Sequence, residues 1–182
     1  MGKALFLFPF FIFFGLIIYF AIPIMKKSDP RIIPSALINQ QAPKLALPPL
    51  LESKPGIEKS NLVGEVILVN FFSSWCGPCR IEHDLLMQIH QDGSIPLYGI
   101  NYKDNPTSAK NWLKELGNPF HRIGVDRNGR SAIDWGVYGV PETYILDNEG
   151  RIRYRHVGPL NKKILVKEIN PLIKFLRKSQ NG

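Results

Sequence analysis

Apolar residues follow three different rhythms along this chain, and each rhythm predicts a different kind of element. From Ala4 to Met25 there is no alternation: the stretch is rich in Phe and carries no charge, and about 20 such residues match the hydrocarbon core of a bilayer. Residues 28–41 mix two prolines with polar side chains and read as a linker. Over 42–62, short apolar patches broken by Pro43, Pro48, Pro49 and Pro55 fit edge strands or a hairpin. The continuous run from Val66 to Phe72 then predicts a buried strand.

Beyond that strand the rhythm changes to that of a helix. Ile81, Leu85, Leu86 and Ile89 recur at helical spacing within Arg80 to Gln91. Ile95 to Tyr102 suits a second buried strand, and Asn105-Pro106-Thr107 opens a helix that runs through Leu116 and stops at Gly117 and Pro119. A short strand at His121 to Val125, a turn at Asp126 to Gly129 and a helical turn near Ala132 to Trp135 follow. Thr143 to Leu146 and Arg151 to Val157 flank the turn at Asp147 to Gly150 and form a hairpin. Lys162 to Lys178 spaces Ile164, Leu165, Ile169, Leu172, Ile173 and Leu176 as a final amphipathic helix. Strand, helix, strand, helix, hairpin and helix add up to an α/β sandwich, a mixed sheet with helices on both faces.

Composition narrows the class. At 182 residues with 45% hydrophobic and 21% charged side chains, one ordinary core can be buried and no second domain is required. The expected organisation is an anchor over 1–27, a linker over 28–41 and one domain over 42–182. The net charge of +8 does not indicate nucleic acid, because the 23 Lys and Arg are dispersed and form no basic stripe interleaved with aromatics. The apolar stretch closes on Tyr19-Phe20-Ala21-Ile22-Pro23, a poor cleavage site, so it reads as an uncleaved anchor. Lys3 lies on one side of it and Lys26, Lys27 and Arg31 on the other, and counting positive charges alone places the C-terminal flank in the cytoplasm. A tethered domain with a cysteine pair has more reason to work outside the cytosol, where diffusing reductants are absent.

The chemistry sits in Cys76-Gly77-Pro78-Cys79, which holds both cysteines of the chain at the junction of the predicted strand and helix. A thiol there faces unpaired backbone N–H groups and the positive end of the helix dipole, which favours the reactive thiolate. Cys76 is expected to be the exposed nucleophile and Cys79, one turn further in, the resolving thiol. A purely structural bridge across two residues closes too small a loop to stabilise much. Zinc is the alternative, since Cys76-x2-Cys79-x3-His83 has ligand-like spacing, but only the scattered His90, His121 and His156 are left to complete four ligands. A peroxidase reading lacks a thiol beside the Thr and Arg that such chemistry needs. A metal carrier or docking module is the alternative of another class.

Val69-Asn70-Phe71-Phe72-Ser73-Ser74-Trp75-Cys76-Gly77-Pro78-Cys79-Arg80, followed by Gly139-Val140-Pro141-Glu142-Thr143-Tyr144, resembles the thioredoxin superfamily. Gly99-Ile100-Asn101-Tyr102-Lys103-Asp104 and Trp135-Gly136-Val137-Tyr138-Gly139-Val140-Pro141-Glu142-Thr143, together with the anchor, resemble the CcmG/DsbE family, membrane-tethered thiol:disulfide proteins of cytochrome c maturation. The resemblance implies a thioredoxin-like fold held at the bacterial inner membrane and facing the periplasm. There Cys76 would reduce the oxidised Cys-x-x-Cys-His haem-attachment site of apocytochrome c, directly or through a partner thiol protein, and a membrane thiol:disulfide transporter would resupply electrons. No cofactor beyond the redox-active Cys76–Cys79 pair and no metal is implied. A general periplasmic disulfide reductase is the alternative, since Gly77-Pro78 is the dipeptide of general thioredoxins.

The resemblance also assigns further residues. It implies a cis bond between Val140 and Pro141, where the residues alone allow an ordinary turn. Glu82 and Glu142 match acidic positions near the dithiol and would tune it or relay its proton. Asn70 stands where general thioredoxins have a buried Asp and cannot act as a base. Trp75, Gly77, Pro78, Val140, Pro141 and Thr143 would line the substrate groove, Trp75 shielding the thiol or packing in the core. Tyr102, Lys103 and Asp104 line the groove or end a strand, and His83 and His156 are expected on a helix surface and an exposed strand face.

Overall fold

The strand predicted from the apolar run is the middle of the molecule. The computed structural model describes residues 3–25 and 36–179, and the chain divides into two units, residues 1–33 and 34–182. In the first, α1 runs over Lys3–Met25. Its side chains are described over 9–22, and among the described residues no helix is long and apolar enough to cross a membrane. Residues 28–35 of the expected linker lie outside the described residues.

In the second unit, β3 (Ile67–Phe72) is buried at every position. It pairs in parallel with β4 (Leu97–Tyr102), which pairs in parallel with β5 (Arg122–Asp126). On its other side it pairs antiparallel with β6 (Glu142–Leu146), and β6 with β7 (Ile152–Val157). The order is therefore β5-β4-β3-β6-β7, the mixed sheet expected from the sequence. The predicted hairpin ahead of it is β1 (Ala46–Leu47) against β2 (Ile57–Glu58). It covers the outer edge of β5, where Val125 N–H donates to Pro48 O at 2.9 Å and Ile123 N–H to Pro55 O at 3.1 Å. An otherwise open sheet edge is thereby closed.

Strand alternation sorts β3 between two cores. Leu68 and Phe72 face a cluster with Leu85, Leu86 and Ile89 of α2 (Gly77–Gln91), Ala109 and Trp112 of α3 (Pro106–Leu116) and Ile173 and Leu176 of α6 (Asn170–Lys178). Ile67, Val69 and Phe71 face a second cluster with Leu45, Ile57, Trp135 and Tyr144, beside α4 (Arg130–Asp134). Each such large apolar side chain contributes roughly 1.5–3 kcal/mol when buried. The same alternation points Asn70 toward α2, which matters below.

Two boundaries differ from expectation. The domain starts before Ala42: Asn39 N–H donates to Ile152 O at 2.7 Å and Ile152 N–H to Gln40 O at 2.9 Å, so 36–41 is part of the fold rather than spacer. The C-terminal helix is not uniform either. It opens as α5 (Lys162–Ile164) capped by Asn161, passes through a wider π-helical turn over Leu165–Ile169, and continues as α6. The extra residue per turn keeps Ile169, Ile173 and Leu176 on the buried side.

Candidate functional site

Cys76 and Cys79 are joined as a disulfide at the start of α2. Cys76 is the N-cap of that helix, and its Sγ accepts from Cys79 N–H at 3.1 Å. A sulfur in that position is held against the unsatisfied N–H groups that stabilise a thiolate. Pro78 in the first turn gives up an N–H the helix would not have used. Contrary to expectation Cys76 is not exposed as a residue: it keeps only 4% of its surface, against 1% for Cys79. Access comes through its neighbours, because Gly77 and Pro78 are exposed and Trp75 is 60% exposed.

Trp75 therefore packs in no core. Its indole N–H donates to Lys103 O at 3.1 Å, which stands the ring at the rim of the dithiol. The segment leading into Cys76 is fixed by Asp104, whose buried carboxylate accepts from Ser74 N–H at 2.6 Å, Ser74 Oγ at 2.8 Å, Asn101 Nδ2 at 2.9 Å and Asn105 N–H at 2.8 Å. Ser73 Oγ donates to Tyr102 O across the same gap. Lys103 takes φ 43°, a left-handed conformation that points its carbonyl at Trp75 and is uncommon outside Gly and Asn. Asp104 is thus turned inward, not toward a groove. Asp104→Asn would set an amide N–H₂ against donors, and a loss of about 2–3 kcal/mol is expected. Urea midpoints at constant m check it; an unchanged midpoint would show that these bonds do not hold the segment.

Facing Cys76 from the far side is the loop before β6. The Val140–Pro141 bond is cis, and the Val140 carbonyl lies 3.3 Å from Cys76 Sγ, within reach of the thiol that reduction creates. Val140 is half-buried and Pro141 buried. Thr143, placed in the groove by the sequence reading, is fully buried inside the sheet, where its Oγ1 accepts from Asn70 Nδ2 at 3.1 Å.

Glu142 also differs from its expected role. Its carboxylate is fully buried and occupied: Oε1 accepts from Tyr138 N–H at 2.7 Å, and Oε2 from Tyr144 OH at 3.1 Å and from Arg155 Nε at 2.9 Å. Arg155 Nη2 makes the ion pair at 2.8 Å, donates to Gly136 O at 2.8 Å and lies over the Tyr138 ring. With those partners the group pins the loop that carries Val140 and Pro141, rather than relaying a proton. Its neighbour Tyr144 has its phenol pushed up by burial and by the Glu142 charge.

Glu82 lies one turn past Cys79, 1% exposed. Asn70 Nδ2 donates to its Oε1 at 2.8 Å and Leu160 N–H to its Oε2 at 2.7 Å. These bonds favour the anion, but burial outweighs them and pushes the carboxyl up to about 7. Asn70 Oδ1 is buried without a partner among the described residues.

The histidines are not where the sequence suggests. His83 is buried, its Nε2–H donating to Gly117 O at 3.1 Å and its ring edge-on to Trp112 at 4.4 Å. Burial pulls its pKa down. It is engaged away from the sulfurs, and among the described residues no group of three or more His, Cys, Asp or Glu could hold a metal ion. His156 is half-buried, with its pKa lowered by burial.

Sequence reasoning gave no role to Ser74, Leu160 or Arg155. All three act through backbone groups or partners distant in the chain: Leu160 is 78 residues from Glu82 and Arg155 is 13 from Glu142. No local pattern signals them.

The Redoxin family model matches residues 38–173. The chain is 41% identical to the thiol:disulfide interchange protein HelX of Rhodobacter capsulatus over 175 residues, covering 95% of this chain and 97% of that protein. It is 39% identical to the thiol:disulfide interchange protein DsbE of Pasteurella multocida over 180 residues, covering 97% and 98%. A solved putative DsbE from Chlorobium tepidum superposes with TM-score 0.64 at 24% identity, over 74% of this chain and 95% of that one, which shows the shared fold. A cysteine pair capping a helix on a thioredoxin-like sheet, carried by a sequence this close to those relatives, places the chain in the Redoxin family, among the DsbE-type thiol:disulfide interchange proteins, as a thiol-disulfide oxidoreductase.

Proposed function

We propose that this protein reduces the disulfide of the Cys-x-x-Cys-His haem-attachment site of apocytochrome c, directly or through a thiol protein of the attachment machinery, while tethered at the periplasmic face of the bacterial inner membrane. The observation that carries thiol-disulfide exchange is the seat of Cys76 Sγ, at the N-terminus of α2 and 3.3 Å from the Val140 carbonyl; the reducing direction is supported by Gly77-Pro78, the dipeptide of general thioredoxins. An extended substrate segment pairing with the backbone at 139–140 brings its own disulfide to that sulfur. The cytochrome substrate is supported by the motif resemblance around Tyr102, Lys103 and Asp104 and around Tyr138 to Thr143.

In the reduced protein, Cys76 thiolate attacks one substrate sulfur and the substrate disulfide breaks, giving a mixed disulfide and a substrate thiolate that takes a proton. Cys79, deprotonated, attacks Cys76 Sγ; the mixed disulfide breaks and the second substrate sulfur leaves as a thiolate. Two electrons pass to the substrate and the Cys76–Cys79 disulfide remains. Glu82, one turn from Cys79 and poised at about 7, is the candidate acceptor of the Cys79 proton. A membrane thiol:disulfide transporter then returns the pair to the dithiol.

The tether is supported by the uncharged stretch from Ala4 to Met25. About 20 consecutive apolar residues are what a hydrocarbon core requires.

Cys79→Ser in the native membrane tests the substrate. The variant completes the first attack and stalls, so the trapped disulfide adduct is expected to contain apocytochrome c or a thiol protein that serves it. A broad set of unrelated secreted proteins in the adduct would instead identify a general disulfide reductase.

A further inference from the structure

The C-terminal helix carries more positive charge than the fold needs. Between Lys162 and Lys178 there are six cations, Lys162, Lys163, Lys167, Lys174, Arg177 and Lys178, against one acid, Glu168. That acid is engaged, its Oε2 accepting from Tyr154 OH at 2.7 Å. None of the six cations takes part in an ion pair among the described residues. Lys162 and Lys163 stand in the first turn, which has no acid, and there they oppose the helix dipole. Folding stability does not account for them.

Their arrangement is one-sided. Ile169, Ile173 and Leu176 face the core. Lys163, Lys167, Pro171, Lys174 and Lys178, at steps of three or four, are all exposed on the other side. Between them stand two large apolar side chains left in solvent, Val166 at 62% and Phe175 at 63% exposure. Cations that look dispersed along the sequence are thus gathered on one helix face beside an exposed Phe, and a face of that kind, with its inner side already buried, suits neither a second core nor a neutral partner.

We infer that this outer face of α5, the π-helical turn and α6 docks on an anionic lipid surface, with lysines at the phosphate headgroups and Phe175 at the headgroup–acyl boundary. Charge complementarity selects the partner: exposed lysines flanking the exposed Phe175 and Val166 fit the loosely ordered phosphates of a bilayer. The inference rests on the membrane tether proposed above for one thing only, the high local concentration of lipid that makes a modest surface attraction sufficient.

The test uses the full chain reconstituted with vesicles of phosphatidylcholine alone or with one third phosphatidylglycerol. Lysines are labelled with a water-soluble amine reagent and read by mass spectrometry. Lys163, Lys167, Lys174 and Lys178 are expected to label about 5-fold more slowly on the anionic vesicles, recovering in high salt. The exposed Lys110 and Lys114 of α3 serve as the reference. In the combined variant Lys163→Gln, Lys167→Gln, Lys174→Gln, the protection of Lys178 should vanish. Because all three positions are exposed, reduction of a small soluble disulfide should be unchanged. Equal labelling on both vesicles, or protection shared by Lys110 and Lys114, would overturn the inference. Failure of the chain to float with the phosphatidylcholine vesicles is a separate result that removes the tether and leaves the lysine comparison to be made on added anionic vesicles.

Discussion

Cys76→Ser is expected to lower disulfide-reducing turnover by roughly 10³-fold or more, because a serine hydroxyl at that helix N-terminus does not ionise near neutral pH and the remaining thiol, Cys79, is buried and has no partner thiol with which to resolve an adduct. Insulin reduction under a coupled reductant measures the loss. Cys79→Ser should also stop turnover, yet retain the first attack, visible as a stoichiometric mixed disulfide with a small labelled disulfide. The two variants separate the roles. If Cys76→Ser accumulated the adduct and Cys79→Ser did not, the assignment of attacking and resolving sulfur would be reversed. The 4% and 1% residual exposures of the two residues are close enough that burial alone does not make this choice. The N-cap position and the Val140 carbonyl make it.

Glu82 should leave a mark on stability as well as on rate. Its carboxyl ordinarily titrates at 4.5 and burial holds it at about 7 in the fold. A raised acid means that the folded state binds the proton more tightly than the unfolded chain does. The stabilisation is present in full below the unfolded value of 4.5. It is lost progressively as pH rises to 7, and is gone above that. The interval corresponds to about 3 kcal/mol. Glu82→Gln removes the titration, so the difference in unfolding free energy between the parent and the variant should change by most of that amount, about 2.5 kcal/mol, between pH 5 and pH 8. Taking the difference cancels the opposite contributions of His83, His121 and His156, whose pKa values are all lowered and whose stabilisation is lost as pH falls. Urea midpoints of the oxidised protein across this range decide it; parallel profiles for the two proteins would show that the carboxyl titrates normally. In stopped-flow measurements of the resolving step, the variant should also lack the inflection near 7 that a proton acceptor of that strength provides.

These two expectations rest on different levels of information. The dithiol is legible from sequence because its chemistry is local: two cysteines three apart, a proline between them, an apolar run before and a helical period after. Each of those signals acts within a few residues, and the strands, helices and hairpin they predict are present with shifts of one to three residues at their ends. The environment of Glu82 is of another kind. That position reads as a charged residue on a helix, and only its contacts with Asn70, 12 residues back, and Leu160, 78 residues ahead, show that the carboxyl is sealed under β3.

The same division explains the misplaced residues. Thr143 and Glu142 sit beside Pro141 in sequence and seemed to share its surface, but a strand sends successive side chains to opposite faces, and both faces of β6 are covered. His83 follows Glu82 on α2 and looked solvated, until α3 packed Trp112 against it. Asp104, expected at a groove or a strand end, turns in to hold Ser74.

What the chain alone determined, then, is the set of elements, their succession along the chain and the position of the reactive pair between a strand and a helix. Hydrophobic period and backbone chemistry act over a few residues, so they survive without a partner. What only the tertiary structure decided is which polar groups are buried and beside whom: the acid under the dithiol, the arginine behind the cis-proline loop and the aspartate behind the tryptophan. Burial and long-range pairing are properties of packed neighbours, and those neighbours are dozens of residues away until the sheet closes.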